Sequence, residues 1–417
     1  MSSIPSEVSS SETVQTISPT RIQYLDLLRG LAVLGLLFLN ITHMGMFELG
    51  YVMHEPVLLA DQIMRGVNAF LFDGRFRSLF CILFAVGLYI QWQNYQNKNL
   101  QPKPILKSRL FWLVLFGTIH CVFIWPGDIL LVYALSGLFL LNRLEWSAEK
   151  TLKVGKTFFA IGMLVLATQW ALAGYFGEPM VRGSEAFNEA ISTSHAPYWE
   201  WVMVSLFIAV AYVVTFPILS LFYIVGTMLI GLGLYKSGAL KTGFTRPALI
   251  KLLLVTLVVS AIDAFIAIVH PDVWQSASGV LASLSGLSMA LIIWHFVVKA
   301  DLASSGSWLV RAVKKVGTMA FTFYILQSLV MTLIFRVYFT ELSVQLNLFE
   351  YFIVALGFAV IQLVLASLYK LKFNQGPLEY IWRKQVQRTV SKIKREQQSL
   401  NIEKAEAQTP TEQQTVV

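Results

Sequence analysis

The chain has 417 residues, of which 56% are hydrophobic and 13% are charged, and its mean hydropathy is +0.63. This composition lies far outside the range of soluble domains and excludes an ordinary soluble enzyme. The net charge of +8 is spread over short connections between apolar runs, so we expect no nucleic-acid partner.

The first twenty residues are polar, rich in serine and free of basic residues. Residues 1–20 are predicted to be a disordered cytoplasmic tail. They lack the basic segment, short apolar stretch and cleavage site of a signal peptide, so the first apolar run is predicted to act as the insertion signal.

Ten apolar runs are candidates for membrane spans, because a bilayer core requires about 20 residues per helix. These runs are 26–47, 76–93, 109–126, 128–143, 155–175, 200–235, 248–269, 275–298, 317–339 and 350–370. The run 200–235 is too long for one straight span and contains Pro217. Either a short outer-leaflet helix at 200–216 precedes a span at 218–235, or a single helix is kinked.

Residues 57–73 contain Asp61, Arg65 and Asn68 at steps of three and four, so these polar side chains share one helical face. This pattern predicts an interfacial or re-entrant helix on the outer side instead of a span.

The C-terminal part begins with aromatic and apolar residues and then becomes basic. Residues 371–399 are predicted to form an amphipathic helix on the inner membrane surface, where anionic lipid headgroups would bind it. Residues 400–417 are predicted to be a disordered tail. The predicted fold is all-α, a polytopic bundle of about 10 spans in residues 21–370 with one or two interfacial or re-entrant helices.

Lysine and arginine are concentrated in alternate connections between the apolar runs. The loops 94–109, 143–156, 236–251 and 299–316 each carry four of them, whereas the intervening connections are nearly bare. Basic loops remain in the cytoplasm, so we predict that both termini are cytoplasmic and that the corner 125–128 faces outward.

Charged side chains inside apolar spans are costly and need an explanation. Asp26 and Arg29 are three residues apart and can form an ion pair at the cytoplasmic end of the first span. Alternatively, Arg29 faces an internal cavity and binds an anionic group such as a phosphate.

His120 lies five residues before a tight Trp125–Pro126 reversal, which returns the chain to Asp128. The hairpin brings both side chains towards one polar cavity. An imidazole flanked by a carboxylate is suited to general-base or proton-relay chemistry. In the structural alternative, a backbone group satisfies His120 and Asp128 caps its own helix.

Other polar or reactive residues are less easily interpreted. Gln327 and Ser328 lie in an apolar helix, and Asp263 and His295 are isolated titratable groups without an evident partner. The two cysteines are too few for a disulfide framework or a zinc site, and no nucleotide or metal motif is present.

Five segments together resemble the YeiB-like family of uncharacterised bacterial membrane proteins. They are 21–40 (RIQYLDLLRGLAVLGLLFLN), 77–87 (RSLFCILFAVG), 117–135 (GTIHCVFIWPGDILLVYAL), 317–328 (GTMAFTFYILQS) and 373–383 (FNQGPLEYIWR). The resemblance implies a multi-pass protein of the bacterial cytoplasmic (inner) membrane.

The opening Leu25-Asp26 to Arg29-Gly30 also resembles transmembrane acyltransferases. Asn40 stands where acyltransferase-3 enzymes carry a histidine, so the heparan-α-glucosaminide N-acetyltransferase type is the more similar. That resemblance implies a catalytic histidine outside the first span, for which His43, His54 and His120 are candidates. His120 is preferred, because it lies within a segment that carries the family resemblance.

The resemblance implies an acyltransferase that uses acyl-CoA, such as acetyl-CoA, as co-substrate and requires no metal. Arg29 and Arg383, with Asp26 pairing Arg29, would bind the donor phosphates, and Gln327 or Ser328 would contact the thioester carbonyl. His120, oriented by Asp128, would deprotonate a small-molecule or glycan acceptor on the outer side. The alternatives are a secondary transporter and a non-enzymatic membrane partner. A homodimer is also considered.

Overall fold

The computed structural model describes residues 23–46, 50–176 and 180–408. These residues form helices and connecting loops, without a strand among them. The predicted all-α polytopic bundle is therefore confirmed. The predicted tail 1–20 lies outside the described residues.

The first nine helices include the spans of the N-terminal half. They are α1 (Gln23–Gly45), α2 (Leu59–Leu71), α3 (Arg75–Gln96), α4 (Pro102–Phe123), α5 (Leu130–Leu141), α6 (Ala148–Phe176), α7 (Glu185–Ser194), α8 (Tyr198–Leu219) and α9 (Leu221–Lys236). The later helices are α10 (Ala239–Thr242), α11 (Arg246–Val269), α12 (Pro271–Lys299), α13 (Trp308–Gly317), α14 (Ala320–Thr332), α15 (Thr340–Gln345), α16 (Leu348–Tyr369) and α17 (Pro377–Gln408). A π-helical segment, Leu333–Tyr338, extends α14.

Eight helices in the described part of the chain are long and apolar enough to cross a membrane, namely α1, α4, α6, α8, α11, α12, α14 with its π-helical extension, and α16. Helices α5 and α9 are apolar but shorter. Helix α3 has 22 residues and begins with Arg75. Each of the ten predicted runs thus contains a helix.

The run 200–235 consists of two helices that are separated at Ser220, not of one kinked helix. The first of them, α8, has 22 residues and extends to Leu219. The predicted helix 200–216 was therefore too short, because Pro217 is accommodated in the last turn of α8.

The connections segregate into two ends of the bundle. At the end that we call the basic end, Lys236 donates hydrogen bonds to the carbonyls of Leu144 and Trp146, at 2.7 and 2.6 Å. At the opposite end, the Tyr198 hydroxyl donates to the carbonyl of Phe123, at 3.1 Å. Each of these contacts joins two connections of one kind, basic at one end and nearly bare at the other.

Arg182 fastens three connections together at the opposite end. Its guanidinium donates to the carbonyls of Val52, at 2.6 Å, and of Leu346, at 3.0 Å, and also to that of Val344. Burial lowers the pKa of Arg182 below its ordinary value. The one lysine or arginine of the segment 176–199 thus supplies hydrogen-bond donors to carbonyl groups of two other connections.

Helices α6 and α9 pack closely because glycines line their interface. A Cβ on Gly162 would lie 2.5 Å from the backbone nitrogen of Tyr223, and one on Gly226 would lie 2.4 Å from that of Phe159. Small residues at such interfaces are typical of membrane helix pairs, because dispersion contacts drive their association.

Helix α2 places its polar face towards the protein. Asp61 and Arg65 are buried, whereas Leu59 is 71% exposed and Ile63 57%. Asp61 accepts hydrogen bonds from the Tyr51 hydroxyl and from the backbone N–H of Leu348. An interfacial helix would present these polar groups to water, so the observed orientation fits the re-entrant alternative.

The chain between α2 and α3 interrupts the helical backbone deep in the bundle. Gly74 has φ +74°, and a Cβ there would lie 1.9 Å from the carbonyl oxygen of Ala282. Arg75 donates to the carbonyls of Ala69 and Asp73 and, at 2.5 Å, to the Ser260 hydroxyl. The arginine thus supplies donors for carbonyls that the end of α2 leaves open.

Helix α17 lies against α4 at the basic end. Val386 packs in a small apolar cluster with Leu100 and Ile105, and the hydroxyls of Ser108 and Thr389 are 2.8 Å apart. The helix extends to Gln408, beyond residue 399, where the sequence predicted it to end. The predicted disordered tail therefore begins with helix as far as this residue, and residues 409–417 lie outside the described residues.

Candidate functional site

The hairpin of α4 and α5 brings His120 and Asp128 into direct contact. Nδ1 of His120 lies 2.7 Å from Oδ1 of Asp128, and the two residues are 1% and 4% exposed. A carboxylate only accepts hydrogen bonds, so Nδ1 carries a proton, and in the neutral imidazole Nε2 bears the lone pair. The close approach is possible because Gly117 leaves room beside the Asp128 carboxylate.

Asp128 also bonds to the first turn of α5, so the carboxylate that contacts His120 is anchored to this helix as the structural alternative predicts. Its Oδ2 accepts a hydrogen bond of 2.6 Å from the backbone N–H of Leu131. Its Oδ1 additionally accepts a longer one, 3.4 Å, from the Tyr324 hydroxyl. The carboxylate is thus held from three directions, and the imidazole is held by the carboxylate.

Nε2 of His120 is buried and has no hydrogen-bond partner among the described residues. Nε1 of Trp125, whose ring centroid lies 6.3 Å from that of His120, is likewise buried without one. A buried polar atom that lacks a partner is costly, and such atoms recur where a substrate supplies the missing bond. The orientation of the His120–Asp128 pair leaves Nε2, the basic nitrogen of His120, available to a substrate.

A cavity of about 510 Å³ opens at the basic end, within the size range of small-molecule sites. Residues of α1, α3, α4, α5, α14 and α17 line it, and Gly317 and Thr318 complete the wall. Its polar wall includes Arg29, Gln91, Tyr95, Arg109, Trp382, Arg383 and Gln387, and its apolar wall includes Phe80, Leu83, Phe84, Leu113, Leu130 and Phe321. The lining on α3 runs from Gln91 to Phe80, which corresponds to roughly 16 Å of helix.

The guanidinium groups of Arg29, Arg109 and Arg383 line this one cavity. Arg29 and Arg383 lie close enough to Arg109 to repel its positive charge. Arg109 stacks on Trp382, with Cζ 3.6 Å from the ring centroid. The indole N–H of Trp382 donates to the carbonyl of Arg109, at 3.1 Å. Concentrated positive charge with fixed donor geometry is suited to a phosphate-bearing anion.

Glu379 attaches α17 to the start of α14. Its Oε1 accepts from the backbone N–H groups of Phe321 and Thr322, at 2.9 and 3.1 Å, and its Oε2 accepts from the Thr322 hydroxyl at 2.5 Å. These bonds satisfy N–H groups at the helix terminus, where a negative charge is favourable. The contact therefore fixes α17, which forms one wall of the cavity, to α14, the helix that carries Tyr324.

The structure places the predicted donor-binding residues in two groups. Arg29 and Arg383 line the cavity, and Asp26 accepts a hydrogen bond from Arg29, at 3.2 Å. Arg29 therefore pairs with Asp26 and also faces a cavity, and its binding of an anionic group stays a prediction. Gln327 and Ser328, by contrast, are not among the described residues that line it.

Gln327 is used to join helices. Its amide nitrogen donates to the carbonyl of Val33 and to the side-chain oxygen of Gln362, each at 3.0 Å. The Ser328 hydroxyl bonds within its own helix, to the carbonyl of Tyr324. Neither residue lines the cavity in this structure, so their contact with a thioester stays a prediction.

The other polar residues have different surroundings. His54 lies at the opposite end, where its Nε2 is 3.1 Å from the Arg182 guanidinium, and the His43 ring lies beside Gly50. His295 Nδ1 accepts from the backbone N–H of Phe244, at 2.8 Å. Asp263, buried in α11, interacts electrostatically with Arg75, so both isolated groups have partners that the sequence did not suggest.

Four residues of the site were not assigned from the sequence, namely Arg109, Tyr324, Glu379 and Trp382. In the sequence, Arg109 contributes only charge to the basic loop 94–109, and Trp382 is one of the aromatic residues that begin the C-terminal part. Tyr324 and Glu379 lie in segments that carry the family resemblance. No group of three potential metal ligands occurs in the part of the chain that the structure describes.

A family model described as a protein of unknown function, DUF418, matches residues 234–389. The chain is 28% identical to the uncharacterized protein YeiB of Escherichia coli K12 over 388 residues, which is 86% of this chain and 94% of the relative. These matches confirm the predicted resemblance to the YeiB-like family. The match to the uncharacterized YxaH of Bacillus subtilis is 24% identical and covers 88% of this chain and 94% of that one.

A third relative of this YeiB-like chain, an uncharacterized protein encoded in the amylase 3′ region of Bacillus acidopullulyticus, is 32% identical over 136 residues, or 32% of this chain and 37% of the relative. No solved structure matches the chain. Since each of these relatives is described as uncharacterized, function has to be argued from the geometry.

Proposed function

We propose that this protein is an integral-membrane acyltransferase that moves an acyl group from cytoplasmic acyl-CoA to a small-molecule or glycan acceptor on the outer side. The observation that carries the proposal is the arrangement of one cavity, which begins at three arginines and ends at Tyr324, directly beside the His120–Asp128 pair. Donor binding and general-base chemistry would thus take place along a single path.

The two parts of the cavity match the two parts of an acyl-CoA. Arg29, Arg109 and Arg383 would hold the phosphates, and the apolar wall would hold the pantetheine arm and the acyl group. His120 lies eleven residues beyond Arg109 on α4, roughly 16 Å along the helix. An extended arm bound at the arginines would therefore point its thioester towards the imidazole.

The charge pattern supports the orientation. The basic end would be cytoplasmic, and both termini would lie inside, because basic connections remain on that side. The bacterial relatives suggest that the membrane is the cytoplasmic (inner) one. Lys384, Arg388 and Lys392 recur every four residues along α17, so they share one face that would contact anionic lipid headgroups.

The proposed chemistry assigns each proton a place. Nε2 of His120 takes the proton of the acceptor hydroxyl or amine, and the freed nucleophile attacks the thioester carbon. Asp128 keeps Nδ1 protonated and stabilises the imidazolium that forms. The C–S bond then breaks, and the leaving thiolate takes the proton from His120.

The proposal is tested by calorimetry with acetyl-CoA and by an assay of the transfer of radiolabelled acetyl groups to bacterial envelope glycans. The wild-type protein should bind acetyl-CoA in the micromolar range. A general base contributes about 100- to 10,000-fold, so His120→Ala should lose transfer by this factor while it still binds acetyl-CoA. The matched control is His270→Ala, since His270 is an exposed histidine at the end of α11.

Wild-type protein that does not bind acetyl-CoA would overturn the proposal. Transfer that continues unchanged in His120→Ala would reject the assigned base. Loss of transfer in His270→Ala as well would show that the assay reports folding and not the site.

A secondary transporter is the second candidate, and the interruption between α2 and α3 favours it. Broken helices with buried charges line substrate paths in many carriers. Here Arg65, Arg75 and Asp263 are buried around such a break. Proton flux into proteoliposomes under a pH gradient, abolished by Arg75→Gln, would support transport, whereas acetyl-CoA binding without flux would exclude it.

A further inference from the structure

Tyr324 separates the cavity from His120. Its side chain lines the cavity, whereas His120 and Asp128 are not among the described residues that do. The phenol ring centroid lies 5.3 Å from that of the imidazole, and Tyr324 is 1% exposed. Tyr324 thus contacts both the cavity and the dyad, and its ring lies beside the imidazole.

The Tyr324 hydroxyl makes two hydrogen bonds, one with the backbone and one with the Asp128 carboxylate. It accepts from the backbone N–H of Ile129, at 3.2 Å, and donates to Oδ1 of Asp128, at 3.4 Å. Hydroxyl-to-oxygen bonds are usually about 2.7–2.8 Å long, so the bond to Asp128 is weak. Asp128 retains its shorter bonds to His120 and Leu131 when Tyr324 leaves.

Acyl transfer also needs a donor that the dyad does not supply. Negative charge develops on the thioester carbonyl oxygen in the transition state, and a hydrogen bond aimed at it accelerates the reaction. Gln327 and Ser328, predicted for this role, bond elsewhere. Among the described cavity-lining residues, Tyr324 alone is hydrogen-bonded to the dyad.

We propose that Tyr324 is a catalytic residue whose hydroxyl exchanges the Asp128 carboxylate for the thioester carbonyl oxygen of the donor. The inference rests on the proposed acyl transfer. Arrival of the acyl group displaces the phenol ring and opens the path to Nε2 of His120. The tyrosine keeps its own proton throughout and stabilises the carbonyl oxygen while the new acyl bond forms and the C–S bond breaks.

The movement of Tyr324 can be tested without any acyl transfer. His120→Cys is introduced together with Cys81→Ala and Cys121→Ala, and its reaction with a small charged methanethiosulfonate is timed in the purified protein. Adding Tyr324→Ala should make this labelling several-fold faster, because the ring no longer covers position 120. Equal labelling rates with and without Tyr324→Ala would overturn the inference.

The hydrogen bond is tested by Tyr324→Phe, which keeps the ring. Loss of one oxyanion donor typically costs about 100-fold or more in kcat, so we expect this fall with little change in KM for acetyl-CoA. The control is Tyr338→Phe in the π-helical segment, where the side chain is 71% exposed. Wild-type kcat in Tyr324→Phe would overturn the inference and leave the proposed function intact.

The two hypotheses therefore fail in different ways. A wild-type protein that does not bind acetyl-CoA would overturn the acyltransferase and the catalytic role of Tyr324 together. If the wild-type protein binds acetyl-CoA and transfers the acetyl group, but the Tyr324 variants leave the labelling rate or kcat unchanged, the role of Tyr324 alone would be overturned.

Discussion

Nδ1 of His120 lies 2.7 Å from Oδ1 of Asp128, and both side chains are buried where α4 and α5 meet. Because the carboxylate holds Nδ1, the opposite ring nitrogen is left as the basic one. The same carboxylate caps α5 through Leu131, so the position of the imidazole is tied to the start of a helix.

Asp128→Asn tests whether the carboxylate acts on the imidazole or only on the helix. The asparagine oxygen can still accept from the Leu131 N–H, so the Tm should change little. It cannot hold the imidazole in the same tautomer, and kcat for acetyl transfer should fall by about 10⁴-fold. The control is Asp301→Asn, an exposed position with positive φ that asparagine tolerates. A large fall in Tm for Asp128→Asn would show that the cap dominates.

Arg109→Gln tests the anionic character of the ligand. A hydrogen bond to a charged group contributes about 1.5–3 kcal/mol, so acetyl-CoA should bind at least tenfold more weakly. Calorimetry at two salt concentrations measures this change, and added salt should weaken binding to the wild-type protein. Arg311→Gln is the control, because the exposed side chain of Arg311 bonds only to the carbonyl of Gly306 among the hydrogen bonds described. Equal weakening in both variants would point to a non-specific effect of net charge.

Glu379→Gln tests the attachment of α17 to α14. The substitution removes the negative charge that two backbone N–H groups of α14 and the Thr322 hydroxyl share. We expect the unfolding free energy to fall by about 1.5–3 kcal/mol and hydrogen exchange to accelerate at the start of α17.

The matched control for this variant is Glu396→Gln, farther along α17. Glu396 is exposed and lies 3.8 Å from Lys392, and such a surface pair contributes about 0.2–1 kcal/mol at most. Unchanged exchange of α17 in Glu379→Gln would contradict the role of Glu379 as an anchor.

Gly74→Ala tests the interruption between α2 and α3. A Cβ at this position would collide with the carbonyl of Ala282 and would also force a non-glycine residue to a φ of +74°. Overpacking typically costs about 1–3 kcal/mol, so the Tm in detergent should fall clearly. Gly279→Ala provides the control on α12, because no atom lies within 4 Å of its added Cβ. A wild-type Tm in Gly74→Ala would mean that the break can rearrange freely.

The sequence by itself determined the helical membrane bundle, the approximate spans and the family. Apolar length and the alternation of basic connections are local properties, so they can be counted along the chain. It also indicated Arg29, His120 and Asp128, because charged or titratable groups in or beside an apolar span are rare enough to stand out. Arg383 lies in a basic segment, and only the family resemblance pointed to it.

Only the tertiary structure decided how these residues combine. The contact of His120 with Asp128 depends on the register of two helices, and the three arginines of the cavity come from three helices. Tyr324 could not be recognised, since an apolar helix with one tyrosine looks the same whether its hydroxyl meets lipid, backbone or a buried carboxylate. The inward polar face of α2 was likewise hidden, because periodicity reveals that a face exists but not which partner covers it.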